Sequence, residues 1–125
     1  MKTVGVYREM YARGHDDLPC LRDAVADHEI ADRQRVLTYM RTAPGIFDVL
    51  DVETDLIDQT ERIMSASSLI SDGAWVWRVD SIHYLAKYEL EIPVDFLHHV
   101  RQRGFVPPTS IEFTSEIEEA IARYF

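Results

Sequence analysis

The chain has one cysteine, two lysines and no long apolar run, and each scarcity removes a class of protein. With Cys20 alone, no intrachain disulfide can form and no cysteine-rich zinc or iron–sulfur site can be built. A lone thiol is ordinary in a reducing compartment, so the expected location is the cytoplasm. The longest unbroken apolar run is Ala74–Trp77, far short of the ~20 residues that cross a bilayer. Arg8 and Glu9 interrupt the first apolar stretch too early for a signal peptide, and no membrane partner is expected. Positive charge is short as well: 13 Lys+Arg against 22 Asp+Glu leave a net −9. A surplus of that sign repels phosphate backbones, so nucleic acid is not an expected partner. No Gly/Ser/Pro-rich linker and no repeat divides the chain.

What is present suits one domain over 1–125, because a chain of this length buries roughly two-thirds of its surface without a metal or disulfide staple. Residues 1–16 suit either a short strand (Val4, Val6, Met10) or a helix (Tyr7, Tyr11). Leu18, Leu21, Ala24, Val25 and His28 recur at helical spacing after Asp17 and Pro19, and predict a helix. Ile30, Arg33, Leu37 and Met40 predict a second over about 29–42, ended by Ala43-Pro44-Gly45. Over 46–64, Asp48, Asp51, Asp55 and Asp58 recur at helical spacing while Phe47/Val49 and Leu50/Val52 alternate as in a strand; a strand over 46–50 with an irregular acidic connection is preferred to a helix. Asp72-Gly73 suits a two-residue type I′ hairpin turn, which would set Ile70 against Trp75, Leu69 against Val76 and the small Ser68 against Trp77. Helices follow at about 81–88, capped by Asp80 or Ser81, and at 93–103, closed by Gly104. Ile111-Glu112-Phe113 reads as a short strand, and Ser115 with Glu118 as a capping box for a C-terminal helix. The expected fold is α+β: about five helices on a small antiparallel sheet with a central Asp-Gly hairpin.

Three constellations could carry function. Asp48, Asp51, Glu53, Asp55, Asp58 and Glu61 contribute −6 within fourteen residues that hold no basic side chain. Such a stretch is either a solvated face or a docking surface that steers a basic partner. Asp51, Glu53 and Asp55 alternate like Ca²⁺ ligands, but the loop glycine is missing and Arg62 stands where the bidentate glutamate belongs, so no metal is expected. Trp75 and Trp77 share one strand face with Arg78 close by; they are either core or an interface hot spot. Asp80 lies three residues before His83, within reach for an acid/base pair, and these two are the only catalytic candidates. His98 and His99 diverge by about 100° on a helix and cannot easily share a metal. Nucleophile-elbow, phosphate-loop and zinc-protease motifs are absent, and no cofactor is expected.

The run Ser71-Asp72-Gly73-Ala74-Trp75-Val76-Trp77, then Asp80, Tyr84 and Tyr88, then Leu90, Pro93 and Phe96-Leu97, resembles small actinobacterial-type proteins with an SDGxWxW hairpin motif. Some of these resemble immunity proteins of polymorphic toxin systems. The resemblance spans residues 65–105 and implies a hairpin–helix–helix core, with no catalytic residue. The expected function is a non-enzymatic, protein-binding module of the immunity type, acting on a basic toxin or effector. The acidic set, Trp75, Trp77 and Arg78 would form its contact surface. The alternatives are a small enzyme using His83 and Asp80, and a homodimeric structural or regulatory subunit.

Overall fold

The segment Trp75–Arg78 is buried along its whole length, and the rest of the molecule is arranged around it. The computed structural model describes residues 1–125. Ten elements are named here: β1 (Lys2–Thr3), α1 (Arg33–Thr42), β2 (Gly45–Phe47), β3 (Val52–Thr54), β4 (Arg62–Met64), β5 (Leu69–Ser71), β6 (Trp75–Arg78), α2 (Val79–Lys87), α3 (Val94–Gln102) and α4 (Ser115–Tyr124). Strands β1-β6-β5-β2 form one sheet, with β1 parallel to β6 and the other pairs antiparallel. β3 and β4 form a separate antiparallel ribbon. The fold is therefore α+β. No helix is long and apolar enough to cross a membrane.

Strand alternation divides the core in two. Trp75 and Trp77 point to the side where Tyr39 and Met40 of α1, Leu85 of α2 and Phe96 of α3 pack. Leu69 and Val76 point to the other side, against Ile117, Ala120 and Tyr124 of α4. Phe96 meets both indoles edge-on, with ring centroids 5.0 Å and 5.7 Å away. The Trp77 indole N–H, which would be costly to bury unpaired, donates to the Met40 carbonyl at 3.2 Å.

β5 and β6 are neighbours, but the expected Asp-Gly turn is not what joins them. The register sets Ser71 against Val76, Ile70 against Trp77 and Leu69 against Arg78, two residues away from the expected pairing. A type I′ turn needs positive φ at both central residues; Gly73 has φ 94°, whereas Asp72 is not among the positive-φ residues. Asp72 instead folds its carboxylate back onto the N–H groups of Ala74 and Trp75, which widens the loop. The faces survive, because a shift of two residues keeps every side chain on its side. Ser68 does not stand opposite Trp77; it hydrogen-bonds the Val49 backbone.

There are four α-helices, not five. The missing one is the helix expected from Asp17 to His28, where only Leu21–Ala24 forms a 3-10 turn. The backbone there is used otherwise: Ala26 N–H donates to Glu89 and Glu91 N–H donates to Ala24, and Val25 bridges Leu90. Groups paired to another segment cannot also make helical hydrogen bonds. α1 starts at Arg33, not near 29, because Asp32 holds a left-handed φ of 63°. Asp80 lies inside α2, whose first turn is closed by Ser81 Oγ accepting the Arg78 N–H. Thr114, not Ser115, caps α4 by accepting the Ile117 N–H. Residues 111–113 form no strand. The strand expected over 46–50 ends at Phe47, and the connection expected to be irregular carries β3 and β4.

Trp77→Ala removes a fully buried side chain and should cost about 4 kcal/mol, whereas Trp77→Phe, which keeps most of the ring volume, should cost roughly half of that. Urea unfolding followed by far-UV circular dichroism checks both; equal and small losses would show that the sheet does not depend on this indole.

Candidate functional site

Burial sorts the expected contact residues. Trp75, Trp77 and Arg78 are 6%, 0% and 3% exposed, so they are core and offer no surface to a partner. Arg78 is held by Asp80 through two hydrogen bonds of 2.9 Å, and its guanidinium lies over the Tyr11 ring. Burial pushes Asp80 up to about 6 against the pull of Arg78, with Asp51 and Glu53 adding to the rise. A buried pair of this kind needs both members, because either alone would be an uncompensated charge.

Asp80 is thus committed to Arg78, and His83 pairs elsewhere. Its Nε2 lies 2.7 Å from an oxygen of Asp55, in the acidic loop. Asp55 is wholly buried, and its carboxylate is saturated. It accepts the N–H groups of Ile57 and Asp58 at 2.8 and 2.9 Å, and the Tyr88 hydroxyl at 3.0 Å. Burial alone would raise Asp55; the hydrogen bonds from His83, the two amides and Tyr88 outweigh it and hold the carboxyl below its ordinary value. An ionised Asp55 is acceptor-only, so His83 donates to it through Nε2–H. Helical spacing on α2 brings the partners together: His83 and Lys87 lie one turn apart, as do Tyr84 and Tyr88. The Tyr84 hydroxyl accepts the Leu56 N–H at 2.9 Å, and burial pushes that phenol up to about 12.

Lys87 closes the other side of the loop. It contacts Asp58 at 2.9 Å, bonds Glu61, and lies 3.8 Å from Asp55. Glu61 and Asp58 hold its ammonium above the ordinary lysine value, while Thr60 and Lys87 hold Asp58 well below the carboxylate range. Asp55, Glu61 and His83 bring their ligand atoms within 4.8 Å of one another, a donor set that could hold a divalent cation. The Lys87 ammonium already supplies positive charge among them.

The acidic stretch is consequently split in two. Asp55, Asp58 and Glu61 serve the loop and α2, and Asp51 accepts the Ser67 hydroxyl at 2.6 Å. Asp48 and Glu53 remain exposed without an ion-pair partner. Around them the apolar side chains of Leu50, Val52, Leu56, Ile57 and Met64 also face outward, Leu50 completely. This surface was not legible beforehand, since the residues read as a charged connection.

Two further arrangements escaped the sequence. Asp72 is a second buried carboxylate, bound by the Tyr39 hydroxyl at 2.6 Å and by His99 Nε2 at 2.7 Å. Burial raises it, but Tyr39, the Trp75 and Ala74 amides and His99 hold it below its ordinary value. Beside His83, whose side chain is 18% exposed, runs a groove of about 590 Å³ floored by Ile63, Ile70, Val79 and Ile82, with Arg41 on its rim. His83 makes no hydrogen bond to a serine, threonine or cysteine, so no activated nucleophile is assembled there.

Asp55→Ala should cost about 3 kcal/mol at pH 7, because it strips two amides, a phenol and an imidazole of their shared acceptor. A carboxyl held below 3.8 stabilises the fold above that pH, and the contribution is lost as pH falls through the lower folded value. The variant should therefore lose less stability than the parent on going below pH 4. Asp80 acts in the opposite sense, since its ionisation costs stability as pH rises from 3.8 through about 6. Urea midpoints across pH 3–7 separate the two ranges; parallel profiles for parent and variant would refute the Asp55 assignment.

No protein-family model, no curated protein and no solved structure matches the chain.

Proposed function

We propose that the protein is a non-enzymatic binding module of the immunity type, which captures a basic toxin or effector through the outer face of the acidic segment. One observation carries this reading: Leu50, Val52, Leu56 and Ile57 are exposed within the stretch that leaves Asp48 and Glu53 unpaired, and Met64, opposite Val52 in the ribbon, is exposed as well. Exposed apolar side chains that alternate with unpaired charge of one sign are costly to leave in water and suit a partner of opposite charge. The net −9 adds long-range steering toward such a partner. The resemblance across residues 65–105 points the same way, and the lone Cys20 accords with work in the bacterial cytoplasm.

A second reading rests on the Asp55–His83 pair. A buried carboxylate that orients an imidazole beside a groove is a general acid/base arrangement. It would make the protein a small His/Asp-dependent enzyme with Asp55, in place of Asp80, as the orienting carboxylate.

Co-expression with the product of the adjacent gene, followed by affinity capture at low and high salt, distinguishes the two. The first reading expects a complex whose association slows roughly tenfold in the double variant Asp48→Lys, Glu53→Lys and weakens with salt. His83→Gln should leave that complex intact. Absence of a complex at either salt concentration, or indifference to charge reversal, would sink the binding reading.

A further inference from the structure

The ribbon β3–β4 leaves one backbone edge of β3 without a partner. In an antiparallel ladder, alternate residues turn their N–H and C=O toward the neighbouring strand and the others turn away. Asp55 N–H donates to Glu61 O at 2.9 Å and Ser65 N–H donates to Asp51 O at 2.7 Å. With Glu53 set against Ile63, these bonds place Asp51, Glu53 and Asp55 toward β4, and turn Val52 and Thr54 outward. β3 has no neighbour but β4, and no side chain bonds the outward groups of Val52 or Thr54. Both residues are exposed.

An open edge is a template for another strand, and proteins usually blunt one with lysine, proline or a bulge. Here the ladder is regular and the edge reads Leu50-Asp51-Val52-Glu53-Thr54, without lysine, proline or a bulge; its charges are acidic, so they turn away acidic strands and leave the edge open to a basic one. The remaining edges are less suited. β2 lies against α4, with the Phe125 ring tilted against Phe47 at a centroid distance of 4.5 Å. β1 has only two residues, and the outer edge of β4 carries Arg62.

Resting on the capture reading above, we infer that β3 binds its partner by strand addition, taking an extended segment in which Lys or Arg alternates with Val, Ile or Thr. The incoming main chain completes the hydrogen bonds of Val52 and Thr54. Its basic side chains fall on the face of Asp51 and Glu53, and its β-branched ones on the face of Leu50, Val52 and Thr54. A second copy of this chain fits poorly, because it would set Asp51 and Glu53 against the same carboxylates in a molecule that is itself −9.

The test uses the full ¹⁵N-labelled chain and a nine-residue synthetic peptide alternating Arg or Lys with Val or Thr. A second peptide of identical charge carries N-methyl groups on the amides that would face β3. Saturation with the first should slow amide exchange at Val52 and Thr54 at least tenfold, and N-methylation should weaken binding at least tenfold. If both peptides bind equally, or if protection falls on Arg62 and Met64 instead, strand addition at β3 is wrong while acidic capture stands. If neither peptide binds at 50 mM salt, strand addition and the capture reading both fall. Concentration-dependent protection of Val52 and Thr54 without peptide would make the occupant a second copy and overturn the proposal.

Discussion

A charged carboxylate sealed from water is tolerable only if its acceptor sites are filled, and that requirement at Asp55 organises the β3–β4 side of this protein. Two of its acceptor sites are filled locally, by the amides of Ile57 and Asp58, which curls the chain into a turn. The others are filled by His83 on α2 and by Tyr88, which caps the C-terminal end of that helix. The same group thus shapes the loop and fastens it to a helix. Asp55 also ends the ladder that holds β3 to β4, through its N–H to Glu61. The direction in which Val52 and Thr54 face therefore follows from where this one side chain is anchored.

Asp72 repeats the device across the molecule. It shapes the β5–β6 loop with two amides and ties it to α1 through Tyr39 and to α3 through His99. Asp80 fastens the start of α2 by holding Arg78 at the end of β6. Much of the acidic surplus that composition suggests is available to a partner is thus engaged in holding loops to helices. Among the carboxylates of residues 48–61, only Asp48 and Glu53 stay exposed without an ion-pair or hydrogen-bond partner, in a stretch that also exposes apolar side chains.

The parts of the fold legible in the sequence are those governed by local periodicity. α1, α2, α3 and α4 follow from apolar spacing, and the two faces of β5 and β6 follow from alternation. Register did not follow, because a two-residue slip preserves faces, and only the side-chain bonds of Asp72 decide the loop. The helix expected from Asp17 to His28 failed because residues 24–26 find backbone partners at 89–91, some sixty-five positions away. The pairing of His83 with Asp55 spans 28 residues and competes with a nearer carboxylate, Asp80, that spacing alone favours. Asp80 is unavailable because Arg78 is buried beside it, and burial is a tertiary property.

Rigid anchoring and an open edge make sense together. A free strand edge on a mobile arm would pay the cost of ordering both itself and its partner on association. Here the inner face of the ribbon is fixed by Ile63 in the core, its loop by Asp55, and its base by the Ser65 and Ser67 bonds to Asp51. The outer residues are thereby held extended while their backbone groups stay unpaired. On the proposed strand-addition reading, internal use of Asp55, Asp58 and Glu61 is therefore not a loss to recognition. Those carboxylates give the edge its shape, and Asp51 and Glu53 along it give it its charge.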